Sequence, residues 1–158
     1  MTQTLMVIAD TSGSMCELGK PFLIRNLLRF ITQLSVVNPS KYEGVSFLFY
    51  IWSDALQKIE GSSAFDINPV GSCSAKALIN GINQMPKEPC LKVLLLSDGF
   101  FDCNEYTHWH LPEIKTRGIA IGMDANIKGL EWFSSNGKPY HAEDINAVVD
   151  TLLFGNII

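Results

Sequence analysis

Two nearly all-apolar runs, each ending in an acidic turn, place the strongest constraint on how this chain folds. The first run is residues 4–10 and ends at Asp10, and the second is residues 91–97 and is followed by Asp98. Short apolar runs of this kind are typical of strands buried on both faces of a sheet. The sequence therefore predicts a sheet with helices on both sides.

Further strands and helices are predicted to alternate along the chain. The predicted strands are 45–52, 55–60, 118–123 and 138–141, and the predicted helices are 21–38, 75–85, 107–115, 127–133 and one that begins at Ala142. A turn at Ser53 and Asp54 predicts a hairpin whose second strand lies at a sheet edge. This order predicts a doubly wound α/β fold, with a mostly parallel six-stranded sheet and one antiparallel edge strand.

Length and charge limit the organisation of the chain and its partners. The 158 residues, 47% of them hydrophobic, are expected to form one domain over 1–158. The net charge of −4, without a cluster of Lys or Arg, argues against nucleic acid or an anionic membrane as a partner. The start has no basic region and its apolar run breaks at Asp10, so we expect neither a signal peptide nor a membrane span, and a cytoplasmic location.

Acidic and hydroxyl side chains follow the first strand at alternate positions. Asp10, Ser12 and Ser14 lie on a predicted tight turn. In a doubly wound sheet, ligands bind at the carboxyl ends of strands where the strand order reverses. If the two acidic strand ends are neighbours there, Asp10 and Asp98 overlook one crevice. Carboxylates and hydroxyls are hard oxygen ligands, so this set suits Mg²⁺ or Mn²⁺ and leaves a coordination position open.

Three stretches resemble the metal-ion-dependent adhesion site (MIDAS) of von Willebrand factor type A domains. Residues 9–15 read A-D-T-S-G-S-M and match the D-x-S-x-S element, and residues 94–99 read L-L-L-S-D-G and match the second acidic turn. Residues 70–78 read V-G-S-C-S-A-K-A-L, with Ser72 where such families often have Thr. The resemblance covers nearly the whole chain.

The resemblance also implies roles for the matching residues. Ser12, Ser14 and Ser72 would hold the metal directly, and Asp10 and Asp98 would act directly or through water. The open position would accept a Glu or Asp carboxylate from a partner protein. The chain looks more like the bacterial intracellular members than like integrins or matrix proteins. Such members include TerY-like proteins and those that work beside MoxR-type ATPases, which implies an adaptor or scaffold in a multi-protein system.

Several alternatives remain open at the level of sequence. Asp10 to Ser14 could be an ordinary turn with hydroxyls capping backbone N–H groups, and Ser72 or Ser74 could serve as the metal ligand or as a helix cap. No convincing catalytic constellation is present, and a metal-dependent hydrolase or phosphatase would lack a Lys or Arg in these turns. An aspartic protease is excluded because those enzymes are all-β. A further alternative is a domain with a purely structural role, whose metal site is vestigial.

Aromatic residues after the second acidic turn are candidates for a partner-binding rim. The candidates are Phe100, Phe101 and Trp109, although Phe101 and Trp109 could instead pack a helix onto the sheet. His108 and His110 would not share a helical face, so they do not indicate a zinc site.

The four cysteines have no zinc-type spacing and are expected to be reduced. Cys16, Cys73 and Cys103 each follow a predicted metal-site loop, so a redox or soft-metal role is a hypothesis.

Overall fold

A computed structural model of the chain describes residues 2–60, 65–86, 90–101 and 114–155. The strands are β1 (Gln3–Asp10), β2 (Val45–Trp52), β3 (Leu56–Ile59), β4 (Leu91–Ser97), β5 (Lys115–Ala120) and β6 (Tyr140–His141). The α-helices are α1 (Lys20–Val37), α2 (Ala75–Gln84), α3 (Ile127–Glu131) and α4 (Ile145–Phe154). Short 3₁₀ turns cover Gly13–Cys16 and Ala142–Asp144.

The six strands of the described residues form one sheet in the order β3-β2-β1-β4-β5-β6. The pairings of β1 with β2 and β4, of β4 with β5 and of β5 with β6 are parallel, and β3 runs antiparallel to β2 at the edge. The predicted doubly wound fold is confirmed. The strand order reverses at β1, because the chain first builds outwards through β2 and β3 and then returns to add β4 on the other side.

Both faces of the central strand are buried, as its apolar composition predicts. Leu5, Val7 and Ala9 pack in a core with α1 and α4, while Met6 and Ile8 pack in a second core with α2 and α3. Successive side chains of a strand point to opposite faces, so an uninterrupted apolar run fits only a strand that is covered on both sides.

Several predicted boundaries differ from the structure. The helix predicted over 107–115 falls largely on 102–113, outside the described residues, and Lys115 is instead the first residue of β5. The prediction of β5 over 118–123 is wrong at both ends. The strand begins at Lys115, which pairs with Lys92 of β4, and it ends at Ala120, shortly before Gly122 turns the chain with a φ of +93°. Helix α3 and strand β6 are shorter than predicted, and the 3₁₀ turn precedes α4.

Candidate metal-binding site

The carboxyl ends of β1 and β4 bring the two acidic turns together. The two strands are hydrogen-bonded neighbours with Ala9 opposite Leu96, and Asp10 and Asp98 are both fully buried directly beyond this pair. Their position is the switch point of the sheet, where ligands of α/β proteins bind. A carboxylate without solvent must be satisfied by protein groups or a cation, so the contacts of each one decide what the site can do.

Asp10 is held by three donors. Its Oδ1 accepts from the backbone N–H of Ser12 at 2.8 Å and from the thiol of Cys73 at 2.9 Å, and its Oδ2 accepts from the hydroxyl of Ser97 at 2.6 Å. Charge-assisted hydrogen bonds of this kind are short and strongly oriented. The carboxylate is therefore fixed in the protein alone, and it would contact a cation through its remaining lone pairs or through water.

The hydroxyls of Ser12 and Ser14 lie next to each other. Their Oγ atoms lie 3.2 Å apart, because the 3₁₀ turn that follows Ser12 curls the chain back on itself. Two adjacent oxygens of an octahedral Mg²⁺ site, each about 2.1 Å from the ion, lie about 3 Å apart. The spacing of the two hydroxyls is thus compatible with a shared cation.

The loop that contains Ser72 contacts the D-x-S-x-S loop directly. The N–H of Gly13 donates to the carbonyl of Gly71 at 2.8 Å, and the N–H of Val70 donates to the carbonyl of Thr11 at 3.0 Å. A Cβ on Gly13 would lie only 3.3 Å from the Gly71 oxygen, so the absence of a side chain allows this close approach.

Residues 72–74 have three different environments. Ser72 is exposed to solvent, Cys73 contacts Asp10, and Ser74 caps α2 by accepting from the N–H of Ala77 at 3.2 Å. The helix cap is therefore Ser74, and the role of Ser72 as a metal ligand stays a prediction. Burial, and then the charge of Asp10, raises the pKa of the Cys73 thiol well above its usual value, which keeps it protonated.

Asp98 is engaged by a buried lysine. The ammonium of Lys20, the first residue of α1, lies 2.9 Å from Asp98 Oδ2, and the N–H of Phe100 donates to Asp98 Oδ1 at 3.2 Å. Lys20 Nζ also contacts the carboxylate of Asp124 at 2.9 Å and the carbonyl of Ser14 at 3.1 Å. Burial lowers the pKa of Lys20, but the hydrogen bonds and charges of the two carboxylates outweigh burial and raise it overall.

Structural comparison identifies the fold. One similar solved structure is a von Willebrand factor type A protein from Catenulispora acidiphila, with a TM-score of 0.65 and 14% identity over 96% of this chain and 43% of that chain. A second is the PilB minor pilin from Streptococcus sanguinis, with a TM-score of 0.65 and 12% identity over 98% of this chain and 63% of that chain. A third is proximal thread matrix protein 1 from the mussel byssus with a zinc-occupied MIDAS motif, with a TM-score of 0.63 and 15% identity over 96% of this chain and 45% of that chain. The chain has the von Willebrand factor type A fold. No family model matches the sequence, and no curated protein does. The chain spans less than two thirds of each of these three proteins.

Within this von Willebrand fold, the carboxylate and hydroxyl oxygens of the site are the kinds of ligand that a hard divalent cation prefers. No group of three or more His, Cys, Asp or Glu side chains that could hold a metal is present in the described ranges, so the hydroxyls of Ser12 and Ser14 are needed to complete a ligand set. Asp10 supplies a negative charge next to Ser12, from whose backbone N–H it accepts a hydrogen bond. Asp98 supplies a second charge, which Lys20 partly neutralises.

The candidate rim residues have different environments. Phe100 is 48% exposed, whereas the ring of Phe101 packs edge-on against Trp52 and Trp132, with centroid distances of 4.9 and 5.9 Å. The Phe101 ring is thus engaged in packing beneath the surface. Trp109 lies outside the described residues. The same is true of Cys103 and of the histidine pair, His108 and His110.

Two residues of the site, Lys20 and Asp124, were not identified from the sequence. Cys73 and Ser97 stood in or next to the matched motifs, but their contacts with Asp10 were not predicted. Asp124 follows the end of β5, which is the same signal that led to Asp10 and Asp98. A lysine at the start of a helix carries no such signal, because lysines there are normally exposed.

Proposed function

We propose that this domain binds a divalent cation, Mg²⁺ or Mn²⁺, and uses it to bind a carboxylate side chain of a partner protein. The observation that carries the proposal is the 3.2 Å pair of hydroxyls, Ser12 and Ser14, beside the fixed carboxylate of Asp10. The serines would hold the ion directly, with Ser72 as a further ligand and with Asp10 and Asp98 acting directly or through water. An incompletely neutralised cation is a strong and directional receptor for a carboxylate.

Exposed apolar side chains near the site support a protein partner. Phe100 follows Asp98, and Met123, next to Asp124, is fully exposed. Leu18 and Met123 line an open cavity of about 400 Å³ at the carboxyl ends of β5 and β6. Large exposed apolar groups of this kind favour contact with another protein. The resemblance to bacterial intracellular adaptors makes a cytoplasmic complex, including one that contains an ATPase, the first class of partner to test.

A phosphatase is less well supported, although a lysine does lie at the site. The two acidic turns contain no Lys or Arg, but α1 brings Lys20 into contact with Asp98. Its side chain is wholly buried, and its three N–H groups can be accounted for by Asp98, Asp124 and the carbonyl of Ser14. It is therefore not available to bind a phosphate group.

Direct titration tests the metal site. Isothermal titration with Mn²⁺ should show binding by the wild type and a loss of at least about tenfold in Ser12→Ala, since a hydroxyl ligand is removed. Ser46→Ala is the matched control, because Ser46 is exposed at the opposite end of the sheet. Absence of wild-type binding at ~10 mM Mn²⁺ would refute the metal site.

Acetate tests the open coordination position. With Mn²⁺ bound, water-proton relaxation should fall as acetate replaces a coordinated water, and Asp10→Asn should abolish both the ion binding and this effect. An ion that binds with no response to acetate would show that the site does not accept carboxylates. A pull-down with wild type and Asp10→Ala, in Mg²⁺ and in EDTA, then identifies the partner.

A further inference from the structure

A lysine side chain is built into the centre of the acidic site. Lys20 has no exposed side-chain surface, and its ammonium joins three segments: the carbonyl of Ser14 in the first loop, Asp98 after β4 and Asp124 after β5. Asp98 is also wholly buried, whereas the side chain of Asp124 is 37% exposed. The shortest contacts of the ammonium are thus to the two acidic residues.

The backbone leaves space specifically for this side chain. Gly122, which has a φ of +93°, lies against the aliphatic part of Lys20, and a Cβ there would come within 2.6 Å of the Lys20 Cε. The same Cβ would approach Asp124 Oδ1 to 2.9 Å. The lysine is therefore packed in a defined channel and is not a surface side chain that has folded over the site by chance.

The position of the ammonium differs from that of the proposed cation. Lys20 contacts the backbone carbonyl of Ser14, while the hydroxyls of Ser12 and Ser14 remain paired with each other. Lys20 therefore does not fill the hydroxyl pair. The ammonium instead pairs with one carboxylate oxygen of Asp98, so less negative charge of Asp98 is available to a bound metal ion.

We propose that Lys20 is an internal competitor that weakens divalent-cation binding by neutralising Asp98. This inference rests on the proposed metal site. Without Lys20, Asp98 would be a buried carboxylate without a cationic partner, and such a group is strongly destabilising until a cation compensates it. With Lys20, the site is stable without metal, and occupancy by Mg²⁺ or Mn²⁺ depends on the concentration of the ion.

The test compares Mn²⁺ affinity in charge variants by isothermal titration. Lys20→Met should bind Mn²⁺ at least about tenfold more tightly than the wild type, because the charge of Asp98 is no longer neutralised by the ammonium. Lys41→Met is the matched control, since Lys41 also forms an ion pair, with Asp150 at 2.6 Å, but on the partly exposed surface. Its affinity should stay within about twofold of the wild type.

A double variant identifies Asp98 as the group through which Lys20 acts. When Lys20→Met/Asp98→Asn is compared with Asp98→Asn, the gain in affinity should disappear, because the carboxylate that Lys20 neutralises is absent from both. A gain that persists in the double variant would overturn the role given to Asp98.

Thermal unfolding gives a second readout. Lys20→Met should unfold at a lower temperature than the wild type without metal, and Mn²⁺ should raise its midpoint by more than it raises the wild-type midpoint. If Lys20→Met does not fold without metal, Lys20→Gln retains a hydrogen-bond donor towards Asp98, and the same gain in affinity is expected from it.

The outcomes separate this inference from the proposed function. Equal Mn²⁺ affinities in the wild type and both Lys20 variants would overturn the inference and leave the metal site intact. Binding by a Lys20 variant alone would support the competition and would refute metal binding as a function of the wild-type protein. Absence of binding in every variant would overturn both the inference and the metal site.

Discussion

Ser97 provides the sharpest test of how Asp10 is held. Its hydroxyl is fully buried, donates to Asp10 Oδ2 at 2.6 Å and accepts from the N–H of Gly99 at 3.0 Å. Ser97→Ala removes a hydrogen bond to a charged group, worth about 1.5–3 kcal/mol, and also leaves a backbone N–H without its acceptor. We expect the free energy of unfolding to fall by about 3 kcal/mol or more.

Ser134 is the matched control, because its buried hydroxyl accepts from the N–H of Gly118 at 2.8 Å. Both alanine variants leave one backbone N–H without its acceptor, but only Ser97→Ala also weakens the support of a carboxylate. In equilibrium urea unfolding, Ser97→Ala should therefore be the less stable of the two by about 1.5–3 kcal/mol. If Ser97→Ala costs no more than Ser134→Ala, the account of Asp10 as a carboxylate fixed by the protein is wrong.

A tyrosine, a cysteine and a glycine give further measurable consequences. Burial and a hydrogen bond to a carboxylate of α4 raise the pKa of Tyr42 to about 12. The folded state therefore holds this proton more tightly than the unfolded state does. Between about pH 10 and 12, the free energy of unfolding of the wild type should fall by on the order of 1–2 kcal/mol more than that of Tyr42→Phe. Parallel pH profiles of the two proteins would contradict this. At neutral pH, iodoacetamide should modify the exposed Cys16 at least about tenfold faster than Cys73, by mass spectrometry, and equal rates would show that the Cys73 thiol is not protected. Gly122→Ala should lower the free energy of unfolding by about 2 kcal/mol or more, whereas Gly137→Ala, which has a φ of +72° and open space around it, should cost about 1 kcal/mol; equal losses would argue against the tight channel.

The fold was predictable because the pattern of apolar residues distinguishes buried strands from helices along the chain. The two doubly buried strands, β1 and β4, are continuous apolar runs, and their acidic ends lie side by side as the switch-point rule requires. Element ends were less predictable. Residue 115, placed at the end of a helix from its pattern, begins β5, because pairing with β4 and not local propensity decides where a strand starts.

The contacts of the site were predictable only in part. The motif predicts that Asp10, Ser12 and Ser14 lie together, because these alternate positions belong to one short stretch of chain. It does not reveal that Cys73, next to the expected Ser72, contacts Asp10, since the direction of each loop side chain depends on how the loop packs. Nor does it reveal the buried lysine, whose partners lie 78 and 104 residues further along the chain.

The two backbone hydrogen bonds between the site loops have a dynamic consequence. Val70 donates to Thr11 and Gly13 donates to Gly71, so neither loop can leave its position without breaking bonds of the other. Local opening should therefore be cooperative, with the amides of Gly13 and Val70 showing the same free energy of opening in hydrogen–deuterium exchange. A partner protein that binds one loop would slow the opening of both loops. The residence time of that partner at the site would then depend on the joint opening of the two loops.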